Sequence, residues 1–227
     1  MPLFRKYNCA GALVAVWRIT ESAEWLLSQL SPAERETALA FRGERRRSEW
    51  AATRLLLREL LGAGAAVVYD ACGKPSLAGG GNVSISHTRG YAAVALCENN
   101  PVGLDIELCD RVVGAVKERF LLEGELDCYP PQELDAAALL RWTASEALFK
   151  LVGDLGGNYR DNILLGHKAP LQPASTLEIS VVGLQCNDKF CLTYAFDAPL
   201  LLALCCRNVP SCKGGSFELI YGAEKIE

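Results

Sequence analysis

Val102-Gly103-Leu104-Asp105-Ile106-Glu107 places two carboxylates two residues apart. On a strand, residues two apart share a face, so Asp105 and Glu107 project together while Leu104 and Ile106 go inward. Two negative charges at that spacing repel unless a positive group stands between them. A hard divalent cation with oxygen ligands, Mg²⁺ above all, suits the pair. A solvated acidic strand end suits it as well. Arg141–Lys150 holds Trp142, Glu146 and Lys150 at i, i+4 and i+8, along one face of a helix. That row is either a surface Glu–Lys pair or a third carboxylate for a metal, with a lysine one turn on to meet an anion.

Val83-Ser84-Ile85-Ser86-His87-Thr88 carries a hydroxyl and an imidazole at the rim of a turn. Neighbours on a strand point to opposite faces, and no G-x-S-x-G elbow surrounds Ser86, so a hydrolytic Ser–His dyad does not fit. Hydrogen bonding to phosphate oxygens fits better. Gly73-Lys74-Pro75 is a tight turn displaying one cation, while Gly79-Gly80-Gly81 opens no helix. Neither a P-loop nor a dinucleotide-binding fingerprint is present. Arg42, Arg45, Arg46, Arg47, Arg54 and Arg58 make a basic stretch, either a solvated helix surface or the seat of a polyanionic ligand.

The elements that hold these residues follow from pattern and punctuation. Gly11–Ile19 reads as a strand. Ser31-Pro32-Ala33-Glu34 is a helix start, with a Ser cap, Pro at the first position and an acid three residues after the cap. The helix runs on to Gly62 with a break at Gly43. Asn82–Ser86, Tyr91–Cys97 and Val102–Glu107 read as an antiparallel meander, its first turn closed by Gly90 at positive φ. Arg111–Leu122 and Asp135–Val152 read as helices. Leu177–Leu184, Lys189–Ala195 and Leu200–Cys206 read as strands, so the second half repeats the order of the first.

The 227 residues are 50% hydrophobic and 22% charged, with 23 basic against 27 acidic side chains and a formal net charge of −4. That balance excludes disorder and disfavours a general nucleic-acid coat. No apolar run approaches the roughly 20 residues that span a bilayer, which points to a soluble, cytoplasmic protein. The 10 cysteines include no C-x-x-C pair and the chain has only two histidines, His87 and His167. Reduced thiols packed as small hydrophobes are expected rather than a zinc cluster.

Each motif is weak alone, but their order is specific. G-K-P, then S-I-S-H, then V-G-L-D-I-E, then W-T-x-S-E-A-x-x-K resembles the Sfp-type 4′-phosphopantetheinyl transferases of the holo-acyl-carrier-protein synthase superfamily. The pattern of that family is G-K-P, N-I-S-H-S, G-[IV]-D-[IV]-E and W-[ST]-x-K-E-[AS]-x-x-K. The likeness runs from about Ser31 to Lys150, with looser echoes at Arg119-Phe120 followed by Glu125 and at Leu200–Cys206. It implies an α/β (α+β) fold of two similar lobes about a pseudo-twofold, each with helices on a small antiparallel sheet. Residues 1–101 would form the lobe that meets the nucleotide and its 3′-phosphate. Residues 102–227 would carry the metal ligands and the catalytic helix, with the active site between the lobes.

The resemblance implies transfer of the phosphopantetheine arm of coenzyme A to a serine of an apo acyl, peptidyl or aryl carrier protein. The by-product is adenosine 3′,5′-bisphosphate. Asp105, Glu107 and Glu146 would hold Mg²⁺ against the pyrophosphate, and Glu146 would also be the general base. Lys150 would stabilise the pyrophosphate or protonate the leaving phosphate. Ser86 and His87 would bind phosphate oxygens, Lys74 and Pro75 would sit beside the nucleotide, and Arg54 would meet the 3′-phosphate. A monomer binding neither nucleic acid nor membrane is expected. Two positions depart from the pattern: Ser145 stands for the usual Lys and Ser84 for the usual Asn. A homologue that binds coenzyme A or a carrier without turnover is one alternative, with Ser145 its support. A nucleic-acid module built on the arginine stretch is the other.

Overall fold

The structure is a computed structural model that describes residues 3–153, 159–166, 169–181, 189–207 and 216–222. Strands β1 (Leu3–Cys9) and β2 (Ala12–Arg18) open the chain as an antiparallel hairpin. Three helices follow: α1 (Ala23–Ser28), α2 (Pro32–Leu39) and α3 (Glu44–Leu61). The expected helix start is there in full. Ser31 accepts from the Glu34 amide, Glu34 reaches back to the Ser31 amide, and Pro32 leads the helix. The expected break falls between Leu39 and Glu44, with Gly43 as the cap of α3.

Short strands β3 (Val67–Tyr69) and β4 (Pro75–Leu77) lead into β5 (Asn82–Thr88) and β6 (Tyr91–Cys97). Gly90, at φ 78°, closes the β5–β6 hairpin, as the sequence suggests. The third strand of the expected meander does not stay in this sheet. β7 (Val102–Leu108) instead pairs antiparallel with β11 (Leu200–Arg207) at the edge of a second sheet. That sheet continues through β10 (Lys189–Asp197), β9 (Ala174–Val181) and β8 (Ile163–Leu165). The expected helix over Arg111–Leu122 is also absent. Only a 3₁₀ turn forms over Gly114–Arg119, because Val112, Val113 and Gly114 make a poor first helical turn. The other expected helix is α4 (Leu134–Val152), and a single turn, α5 (Tyr159–Asn162), precedes β8. The last strand, β12 (Glu218–Gly222), returns to pair with β1 in the first sheet. Residues 182–184 of one expected strand, and His167, lie outside the described residues.

Side-chain alternation sorts the molecule into layers. Ala15, Trp17, Ala92 and Val94 face α1 and α3 through Leu26, Ala51, Ala52 and Leu56. Their neighbours Val14, Val16, Ala93 and Ala95 turn the other way, onto Leu104, Ile106, Leu202 and Leu204 of the second sheet. The far face of that sheet, with Leu201, Ala203 and Cys205, packs on Ala144, Ala147, Leu148 and Leu151 of α4. The chain is thus a mixed helix and antiparallel-sheet fold, consistent with two lobes of helices on sheets. Cys9, Cys97, Cys191, Cys205 and Cys206 are buried in these layers, while Cys72, Cys109 and Cys128 are exposed. No helix among the described residues is long and apolar enough to cross a membrane.

Candidate active site

β7 is shared between two environments, and its period of two decides which residue meets which. Leu104 and Ile106 enter the inter-sheet core. Gly103, Asp105 and Glu107 face α4. Gly103 sets how closely the helix can approach. A Cβ placed there would stand 1.9 Å from the Ala147 carbonyl oxygen and 2.7 Å from the Leu151 amide nitrogen. Without that Cβ, the backbone of α4 rests directly on the strand, and its side chains reach the two carboxylates. Asp105 and Glu107 are each 6% exposed, so the pair is no solvated strand end.

The partners of those carboxylates come from β5 as well as α4. Lys150 Nζ donates to Asp105 Oδ1 at 2.7 Å and to the Leu104 carbonyl at 3.0 Å. Ser86 Oγ donates to the same Asp105 oxygen at 2.7 Å and accepts from the Ile106 amide at 3.2 Å. Ser84 Oγ accepts from the Leu104 amide at 2.8 Å. Two serine hydroxyls therefore join β5 to β7 where a backbone ladder would otherwise run. Glu107 receives Trp142 Nε1 at 3.2 Å, Thr88 Oγ1 at 3.1 Å and the Arg111 guanidinium in a close ion pair. The helical row read from the sequence is thus laid over β7, with Trp142 on Glu107 and Lys150 on Asp105. Glu146 stands between them. Its carboxyl is held above the usual carboxylate range by burial and by the charge of Asp105, against the pull of Lys150 and Arg111.

Asp105 Oδ2 is buried and has no hydrogen-bond partner. An orphaned carboxylate oxygen beside a second acid is the donor chemistry of a hard divalent cation, and Asp105 with Glu146 fits one. The oxygens of Glu107 are taken by Arg111, Trp142 and Thr88. Among the described residues, no three acids, thiols or imidazoles stand close enough to make a finished metal cluster.

The remaining expected residues are spread around this centre. Lys74 Nζ donates to the Leu151 carbonyl at 2.6 Å, onto the C-terminal end of α4, where a cation is favoured. Pro75 follows it at the start of β4. Arg54 is 7% exposed; its guanidinium stacks on Trp50 at 3.9 Å and donates to Tyr69 Oη at 2.7 Å. His87 points away from Ser86 and towards α3, where its Nδ1 lies 3.3 Å from Glu49 Oε2. Burial first, then Arg46 and Lys150, lower the His87 pKa to about 4, so the ring is neutral at physiological pH. Ser145 is fully buried, and its hydroxyl donates to the Arg141 carbonyl at 2.8 Å. The Arg141 guanidinium lies against that hydroxyl and on Glu125 at 2.7 Å, so a cation still occupies the surroundings of residue 145.

A cavity of about 580 Å³ opens beside the carboxylates, lined by Arg45, Glu49, His87, Arg89, Glu107 and Arg111 among others. Each of its arginines is matched by an acid: Arg45 with Glu49 at 3.3 Å, Arg89 with Asp110 at 3.5 Å, and Arg111 with Glu107. The sequence reading missed Arg111, Thr88 and Glu49 as site residues. Thr88 follows directly on the S-I-S-H string, and Arg111 lies four residues after Glu107. Glu49 is one of two acids, with Glu44, within the arginine stretch. Spacing alone could not mark them, since β5, β7 and α3 meet only in the folded chain.

Residues 34–97 match the family described as the 4′-phosphopantetheinyl transferase N-terminal domain. Over 115 residues the chain is 31% identical to the 4′-phosphopantetheinyl transferase AcpT of Salmonella typhimurium. That alignment covers 48% of this chain and 60% of the relative, so the chain spans about three fifths of the length of the protein it matches.

Proposed function

From the premise that these two matches support, a member of the phosphopantetheinyl transferase family, we propose that the chain transfers 4′-phosphopantetheine from coenzyme A to a serine of an apo carrier protein. The serine oxygen attacks the phosphorus next to the pantetheine arm. The phosphoanhydride bond breaks, and adenosine 3′,5′-bisphosphate leaves with the bridging oxygen. The observation that carries this reading is the layered contact of β7 and α4. It sets Asp105, Glu146 and Lys150 in one row, with one buried carboxylate oxygen unpartnered.

Phosphoryl transfer from an anhydride needs positioning and charge neutralisation more than covalent help. Asp105 and Glu146, with Glu107 once Arg111 is drawn off it, would hold Mg²⁺, whose chemistry there is neutralisation of the pyrophosphate charge. Glu146, with its pKa raised, is suited to take the proton of the carrier serine. Lys150 lies within reach of both acids and would meet the pyrophosphate. Ser86 orients Asp105 through their hydrogen bond and would meet phosphate oxygens beside it. Arg45, Arg89 and Arg111 line the cavity and would receive the phosphates, with His87 beside them. Arg54, stacked on Trp50 and bonded to Tyr69 through one of its five N–H groups, would meet the 3′-phosphate with the others. Lys74 and Pro75 would sit beside the nucleotide.

Incubation with coenzyme A, Mg²⁺ and a panel of apo acyl, peptidyl and aryl carrier proteins tests the reading. The expected result is a phosphopantetheine mass gain on at least one carrier, lost on chelation of the metal. No gain on any carrier refutes it.

A further inference from the structure

Glu49 lies in the cavity wall and is 3% exposed, yet no step of the proposed transfer uses it. A carboxylate in the wall of a cavity for phosphates opposes its ligand unless it organises the cations around it. Three groups surround this one. Arg45 Nε is 3.3 Å from Oε1, Arg46 Nη1 is 4.0 Å from Oε2, and His87 Nδ1 is 3.3 Å from Oε2. The two arginines precede Glu49 by four and three residues, so α3 itself brings them onto its face. His87 arrives from β5. Glu49 is therefore the point where the arginine helix grips the strand that carries the serine latch.

The other ring nitrogen faces a donor of its own. Arg46 donates to His87 Nε2 in a close contact. A guanidinium has only donors, so this contact is a hydrogen bond only while Nε2 offers its lone pair. The single proton of the neutral ring then sits on Nδ1, the atom that faces Glu49. A neutral ring agrees with a pKa of about 4.

We infer that Glu49 is a positioning residue that fixes His87 in the Nδ1–H tautomer, making Nε2 the acceptor that holds Arg46 while Arg45 is tethered directly. His87 then acts as a clamp on a guanidinium rather than as a cation. The positive charge at this end of the cavity belongs to Arg45 and Arg46, ordered before any ligand arrives. The expected consequence for coenzyme A binding rests on the proposed transfer; the tautomer does not.

Two-bond ¹H–¹⁵N spectra of the full chain read the tautomer directly, with His87 assigned by comparison with His167→Gln. The wild type should show the Nδ1–H pattern at pH 7. Glu49→Met, close in shape and compatible with a helix, should shift the ring towards the Nε2–H form. Glu49→Gln should keep the wild-type pattern, because its amide oxygen still accepts. In transfer assays Glu49→Met should raise KM for coenzyme A about tenfold, a larger change than in kcat. A wild-type ring in the Nε2–H form overturns the inference whether or not the variants fold, and so does an unchanged ring in a folded Glu49→Met. A wild type that labels no carrier sinks the proposed function, while the spectra still decide the role of Glu49.

Discussion

Asp105 places both of its side-chain hydrogen bonds on one oxygen and leaves the other buried and bare. An arrangement of that kind costs stability unless a ligand completes it. Asp105→Asn should therefore reduce carrier labelling by at least about 100-fold while the folded state survives. Labelling rates measured beside thermal melts check both halves. Glu146 makes the complementary case. Its folded pKa lies above the unfolded value, so its protonated form favours the folded state. That stability is fully present below the unfolded pKa and is lost as pH rises through the raised one. Glu146→Gln should accordingly melt higher than wild type at pH 7.5, with the gain vanishing in acid, while transfer collapses. In the metal-free wild type, the Glu146 carboxyl should titrate above the ordinary carboxylate range, read by carbon-13 NMR of the labelled side chain. A titration at or below that range would remove the raised pKa.

At the scale of elements, α4 reaches β7 because one position lacks a Cβ. Gly103→Ala would put a methyl group 1.9 Å from the Ala147 carbonyl, against helix backbone that cannot rotate aside. The helix must lift, and overpacking of this kind costs about 1–3 kcal/mol or more. The urea midpoint should drop accordingly, and labelling should fall further than stability alone explains, since Trp142, Glu146 and Lys150 move with the helix. Several elements were legible from local pattern: the capping box of α2, the β5–β6 hairpin and α4 lie where the sequence suggests, whereas the helix expected over Arg111–Leu122 does not form. The partner of β7 was not. A short strand with apolar residues on one face and acids on the other looks the same in either sheet. Serine hydroxyls at positions 84 and 86 replace the backbone bonds that would have kept it in a meander.

Across the whole molecule, the last described strand pairs with the first, and the first is also tied to the end of β10. β12 closes on β1, while Tyr7 Oη donates to Asp197 Oδ2 at 2.6 Å and Arg5 pairs with the same acid at 2.8 Å. Burial and the adjacent carboxylate raise the Tyr7 pKa, so the phenol stays protonated and donating through the physiological range. Tyr7→Phe leaves Asp197 with Arg5 and should lower stability by about 1 kcal/mol in equilibrium unfolding, with little effect on labelling. The sequence by itself determined the types and order of the chemical groups and the faces they share within one element. Asp105 with Glu107 on a strand, and Trp142, Glu146 and Lys150 on a helix, follow from periods of 2 and 3.6 residues. Tertiary structure alone decided the pairings between elements: Ser86 with Asp105, Trp142 with Glu107, Arg54 with Tyr69 and Glu49 with His87. Local backbone geometry repeats and can be read from spacing. A contact between distant segments depends on packing volume, such as the missing Cβ of Gly103, and on which buried polar groups can satisfy one another.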